Sequence, residues 1–232
     1  MREQLQTAYC MHSRAYRESS QIIELLTLEH GLVSCVRRGS RKKNASADYL
    51  FSPLLVSWVG KGDLLTLTHI EAKQTRRITQ PNLSIVAMYL NELILKLVPK
   101  SSPSKEVFGL YENILESLDQ EEKQENLLRL FEIELLSLIG HGLSLDKEMD
   151  HETTINKDSM YRYDVGIGPV CVSKNNNAWN IVSGATLLGL QSPLSMESSC
   201  LTEAKQLMRG IINWHLDKRR LHSREILQFI HA

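Results

Sequence analysis

Residues 64–97, LLTLTHIEAKQTRRITQPNLSIVAMYLNELILKL, contain the change of period that decides the fold. Up to Ile70 the side chains alternate, so that Leu65, Leu67 and His69 share one face of a strand and Leu64, Thr66, Thr68 and Ile70 the other. From Pro81 the apolar residues recur at helical spacing instead. Leu83, Val86, Ala87, Leu90, Leu93, Ile94 and Leu97 form one stripe, and Pro99 and Pro103 bring that helix to an end. A β domain over residues 1–80 therefore precedes an α-helical domain over 81–232, and the chain is of the α+β class.

On the N-terminal side, Leu54–Val59 and Leu64–Ile70 pair around Gly60-Lys61-Gly62-Asp63. Gln21–Leu28 and Leu32–Arg38 form a hairpin across His30-Gly31. Five short strands of this kind hide their edges best by closing into a barrel, of SH3-like or OB type; the pattern does not separate the two. On the C-terminal side a second helix fits Lys105–Leu118. A third, Glu125–Ile139, is apolar almost all round, which suits the centre of a bundle, and Gly140 is its C-terminal cap. Residues 141–180 are polar and lack clear periodicity, so they read as an irregular insert, with Asn175-Asn176-Asn177 as an exposed loop. A helix over Glu197–Leu216 and a shorter one over Ser223–His231 close the chain, with Ser223 as N-cap.

At 232 residues, with 42% apolar and 23% charged, the composition is that of a globular protein and excludes disordered, collagen-like and disulfide-scaffold classes. Lys and Arg balance Asp and Glu at 27 each, but unevenly along the chain. Residues 1–80 hold 12 basic against 7 acidic side chains, and residues 81–150 hold 6 against 13. The N-terminal third is thus basic and the middle acidic, which suits two surfaces with different partners.

The sharpest basic cluster is Arg37-Arg38-Gly39-Ser40-Arg41-Lys42-Lys43, directly after a predicted strand. So many cations cannot be buried together, so the cluster faces solvent. Arginine grips phosphate oxygens bidentately, and Gly39 and Ser40 let the backbone approach a polyanion. Lys61, Lys73, Arg76 and Arg77 are near enough in sequence for a barrel to bring some of them to the same rim. The competing reading is a solvated loop that only keeps the protein soluble. Tyr9, Tyr16, Tyr49, Phe51 and Trp58 are available for base stacking, though most of them suit the barrel core better.

Cys10, Cys35, Cys171 and Cys200 lack the spacing of metal-ligand pairs and read as reduced structural thiols. His12, His30, His69, His141 and His151 show no metal spacing, Gly166-Ile167-Gly168 is too little for a nucleotide loop, and no catalytic motif is present. With neither a signal peptide nor a long apolar run, the chain is expected to be soluble, cytoplasmic and without a membrane partner.

The order of short motifs resembles the RecO family of bacterial DNA repair and recombination mediators. The resemblance is carried by His12-Ser13-Arg14, Tyr16, Glu18-Ser19, Leu26-Thr27, His30-Gly31, Arg38-Gly39-Ser40-Arg41, Pro53 and Gly60-Lys61-Gly62. It continues through Tyr89-Leu90-Asn91-Glu92-Leu93, Phe108-Gly109-Leu110-Tyr111, the stretch from Leu128 to Leu136 with Gly140, and His222-Ser223-Arg224-Glu225. It implies an N-terminal OB-fold joined to a helical domain, binding of single- and double-stranded DNA, and annealing of complementary strands. It further implies partnership with RecR, sometimes RecF, and with the acidic tail of the single-strand-binding protein SSB, so that RecA is loaded on SSB-coated DNA. Many members carry a four-cysteine zinc module after the central helices. This chain has only Cys171 there, so no metal and no cofactor is expected. Arg37, Arg38, Arg41, Lys42, Lys43, Lys61, Arg76 and Arg77 are the expected DNA contacts. Arg129 and Arg224 are the cations proposed for the SSB tail, with an intrahelical ion pair to Glu125 or Glu132 as the other reading of Arg129. Nucleoid association follows from the same resemblance. The alternative functions are an OB or SH3 barrel adapter that binds RNA or a protein without annealing, and, least favoured, a hydrolase using His12 or His69 with a cysteine.

Overall fold

The computed structural model describes residues 2–39, 49–74, 78, 80–100, 102–118, 124–173 and 178–230. Strands β1 (Arg2–Tyr16), β2 (Ser20–Thr27), β3 (Gly31–Arg37), β4 (Pro53–Val59) and β5 (Leu65–Ala72) close into a barrel in the order β1-β2-β3-β5-β4. Closure runs through a parallel pairing of β3 with β5, Cys35 against Leu65 and Val36 against Thr66, and every other ladder of the barrel is antiparallel. This is the OB arrangement, so the choice left open by the pattern is decided by the β3–β5 seam.

The 15-residue β1 serves two neighbours. Its first part pairs with β4 and its second with β2, and a bulge between Cys10 and His12 turns the strand from one to the other. Ala8, Cys10, Ile23, Leu25, Cys35, Leu54, Val56, Trp58 and Leu67 fill the barrel. At Gly31 the turn into β3 needs φ +64°, and a Cβ there would meet the Ser102 carbonyl oxygen at 2.4 Å, so only glycine fits.

By their contacts the residues form two units, Met1–Leu115 with Leu221–Ala232, and Glu116–Arg220. The barrel's unit includes α1 (Pro81–Leu97), most of α2 (Lys105–Ser117) and α6 (His222–Ile230). The outer side of the β1–β2–β3 wall is covered rather than open. Tyr9, Leu26 and Leu32 are cross-strand neighbours and buried, and the Tyr9 ring lies 5.4 Å from Phe108 and 5.1 Å from Tyr111 of α2. Asn91 of α1 ties these parts together. Its amide donates to the Met11 carbonyl at 3.0 Å, in the bulge where the ladder is interrupted, and its oxygen accepts from the Tyr111 hydroxyl at 2.6 Å.

Helix α6 starts at His222, and Ser223 does not cap it. The free N–H groups of His222 and Ser223 donate instead to the Glu92 carboxylate of α1 at 2.9 and 3.0 Å, and the Ser223 hydroxyl adds a bond of 2.7 Å. Burial opposes ionisation of Glu92, but these donors and Lys96 outweigh it and hold the carboxyl below its ordinary value. A group depressed in the folded state stabilises above its unfolded pKa, so this docking is complete at neutral pH and is lost as pH falls through the lowered value. The protection factor of the Ser223 amide, with the intrinsic pH dependence of exchange divided out, should therefore fall on acidification, and Glu92→Gln should lower it at neutral pH and remove its acid dependence. A protection factor that does not change with pH in the unaltered chain would contradict this.

The second unit holds α3 (Gln124–Leu138), α4 (Gly184–Leu190) and α5 (Ser198–Leu216) with a sheet in the order β7-β6-β8, where β6 is Met160–Asp164, β7 Gly168–Val172 and β8 Ile181–Ser183. The segment over 141–180 is thus not wholly irregular. It holds β6 and β7, of five residues each and too short for a clear period, yet Tyr161 and Tyr163 alternate inward on β6. Gly140 has φ +84°, the His141 N–H reaches the Leu136 carbonyl at 2.8 Å and the Gly140 N–H that of Ser137 at 3.0 Å, which makes the expected glycine C-cap of α3 a Schellman motif.

Candidate nucleic-acid interface

The topology decides which basic residues meet. Strands β1, β3 and β5 run the same way, so all three end at one rim of the barrel. The turn after β1 carries Arg17, the end of β3 carries Arg37 with Arg38 beyond it, and β5 runs into Lys73, whose N–H bonds the Pro53 carbonyl at 2.8 Å. Register confirms the neighbourhood, since Tyr16 faces Ser20 and Gln21 faces Arg37. Glu18 is the acid in the turn after β1.

Two aromatic rings support these cations. The Arg17 guanidinium lies 5.1 Å from the centre of the Tyr16 ring and that of Arg37 lies 5.3 Å from the Tyr49 ring, and both tyrosines are half-buried. Tyr9, Phe51 and Trp58 are buried and belong to the core. Arg37 is itself half-buried, whereas Arg17, Arg38 and Lys73 are exposed. Arg41, Lys42, Lys43, Arg76 and Arg77 lie outside the described residues.

Lys61 is exposed but sits elsewhere. The turn that precedes β5 lies at the end of the barrel where β3 begins, opposite the rim of Arg37. Sequence reasoning grouped Lys61 with the cluster and missed Arg17. Arg17 was findable only from the β1–β2 register, which places residue 17 beside a strand that pairs with the one ending at Arg37.

The two cations proposed for an acidic tail are both engaged. Arg129 on α3 meets Glu132, with Nη2 to Oε1 at 2.9 Å and Nε to Oε2 at 2.9 Å, and the two side chains are 8% and 1% exposed. Arg224 on α6 donates to the Tyr89 hydroxyl at 3.0 Å and is half-buried.

Burial pushes the Cys10 thiol up to about 12, and burial together with Glu24 does the same to Cys35, so neither supplies a thiolate at neutral pH. His12 is exposed, His69 stands 3.4 Å from Glu71, and His141 stacks on His215 at 4.2 Å between ring centres. Among the described residues no group of three or more His, Cys, Asp or Glu is placed to hold a metal ion, and no helix is long and apolar enough to cross a membrane.

Comparison with known proteins covers both parts of the chain. Residues 1–76 match the family model for the N terminus of recombination protein O, and residues 79–225 match that for its C terminus. The DNA repair protein RecO of Methylococcus capsulatus is 40% identical over 227 residues, covering 97% of this chain and 93% of that one. The DNA repair protein RecO of Nitrosococcus oceani is 38% identical, covering 98% and 94%. That of Coxiella burnetii is 35% identical, covering 96% and 97%. With both halves matched in order and relatives aligned over nearly their whole length, the chain belongs to the RecO family of DNA repair proteins.

Proposed function

We propose that this protein is a recombination mediator without catalytic chemistry of its own. It binds single- and double-stranded DNA at the cationic rim, anneals complementary strands, and helps RecA load on SSB-coated DNA. The observation that carries this reading is the convergence of Arg17, Arg37, Arg38 and Lys73 at the ends of three parallel-running strands, in a chain of a DNA repair family. Annealing breaks no covalent bond. It needs two phosphate chains neutralised together while the bases stay able to pair, and cations mounted on a rigid barrel do that without reading base edges. The SSB tail and RecR, with RecF, are the protein partners that the family resemblance suggests, and a cytoplasmic, nucleoid-associated location goes with them. Of the two cations considered for the tail, Arg224 has the greater access to solvent.

Titration of a labelled oligonucleotide against salt tests the reading. Each phosphate contact on a single strand contributes a slope of about −0.7 in log affinity against log salt, so the four rim cations alone give roughly −3, and contacts from Arg41, Lys42 and Lys43 steepen it to about −5. An adapter that holds a protein through apolar contacts responds little to salt, and a slope near zero would overturn the proposal. Complementary strands should also pair faster in the presence of the protein, which separates annealing from an RNA-binding barrel that lacks it.

A further inference from the structure

The rim opposite the cations carries a cavity of about 380 Å³, lined in part by His30, Val33, Trp58, Lys61, Leu65 and Pro103. We infer that it is a subsite for one unpaired nucleobase of a bound single strand, with Lys61 on the adjoining phosphate. The inference rests on the DNA-binding reading above and adds to it a place where a base, not only the backbone, is held.

The floor is the open end of the barrel. Trp58 belongs to the barrel core, and Val33 and Leu65 pack against that core while remaining partly exposed. The half-buried His30 ring stands edge-on to Trp58, 5.4 Å between centres and 82° between planes, so the wall is aromatic. Pro103 lies on the far side, in the connection that packs on Gly31. A flat apolar ring gains from such surfaces, whereas a phosphate alone gains nothing from an apolar floor.

The charge sits on the lip. Lys61 is exposed at the tip of the β4–β5 turn and, among the described residues, is in no ion pair. The neighbouring Lys100 and Lys105 are matched by Glu24 and Glu29, and Asp63 is the acid in the turn itself. A Cβ on Gly62 would meet nothing within 4 Å, so the turn leaves open space beside Lys61. Strand β3, seven residues and about 23 Å long, separates this lip from Arg37, a span compatible with the roughly 4 to 16 nucleotides that one OB-fold occupies. One anchored base fixes the strand's position while the others stay available for pairing.

The test compares a short oligothymidylate with an oligomer of equal phosphate count in which the bases are replaced by abasic residues, both with the full-length protein. The unaltered chain should bind the abasic oligomer about tenfold more weakly, the size of one stacked base. His30→Ala should erase that difference, and Lys61→Gln should weaken both oligomers alike. Equal affinity of the unaltered chain for both overturns the subsite while leaving DNA binding intact; no affinity for either overturns the DNA-binding reading beneath it. A second measurement needs no variant. Photocrosslinking of a 5-iodouracil oligomer should give adducts at His30, and adducts confined to the Arg37–Tyr49 side would refute the assignment.

Discussion

A full-length chain carrying Arg37→Gln, Arg38→Gln, Arg41→Gln, Lys42→Gln and Lys43→Gln is expected to fold and to lose single-strand affinity by about a thousandfold near 0.1 M salt. The figure follows from losing five contacts at about 0.7 each in the salt slope, which near 0.1 M amounts to more than three decades of affinity. Annealing should fall with it, because both strands must be neutralised before they approach. Stability should change little, since exposed substitutions generally stay within about 0.5 kcal/mol. Arg37 is the exception to watch, being half-buried over the Tyr49 ring. A variant that keeps Arg37 and replaces the other four separates the two effects, with a thermal melt like that of the unaltered chain and most of the affinity loss retained. Annealing that survives undiminished in both variants, with the salt slope unchanged, would remove the basic segment from the interface. Adding Arg17→Gln should lower the slope by a further ~0.7, because the topology brings Arg17 to the same rim.

Arg17 also shows where the sequence stops being informative. The β2–β3 hairpin was legible because its alternation and turn are local, and its register runs without interruption from Gln21–Arg37 to Thr27–Gly31. Helix α1 was legible for the same reason, with Pro81 in its first turn and the expected stripe of Leu83, Val86, Ala87, Leu90, Leu93 and Ile94 buried. The bulge of β1 and the β3–β5 seam are tertiary facts. Neither has a local signature, and together they decide that Arg17, Arg37 and Lys73 share a rim while Lys61 does not. Helix α3 misleads in the opposite direction. Its sequence is apolar almost all round, yet Leu138 is 40% exposed while Asn126, Arg129 and Glu132 are buried. Hydrophobic counting cannot anticipate polar groups that are buried because they meet partners. Asn126 gives its amide to the Pro193 carbonyl at 2.7 Å, and Arg129 and Glu132 form an ion pair one turn apart.

That pair supports the second large effect. Glu132→Leu alone should destabilise the protein by about 3 to 5 kcal/mol, because it leaves the Arg129 guanidinium, 8% exposed, without its counter-charge. Arg129→Met alone should cost a similar amount by removing the guanidinium from beside the buried Glu132 carboxylate. The double replacement Arg129→Met with Glu132→Leu should recover most of the loss, since an apolar pair of similar volume avoids desolvating two charges. Denaturant midpoints of the three variants measure this directly, and additive losses in the double variant would mean that the two side chains do not act as a unit. The same set of variants separates the two roles considered for Arg129. If the residue serves only its own helix, the restored double variant binds an acidic peptide ending in a free carboxylate as well as the unaltered chain does. If the guanidinium turns from Glu132 to a partner's carboxylate, the double variant is stable and yet fails to bind. A guanidinium held by two contacts of 2.9 Å in a buried position would have to give up both before it could take a ligand, and nothing in α3 offers Glu132 a replacement cation at i ± 3 or i ± 4. Stability restored with peptide binding intact is therefore the expected result.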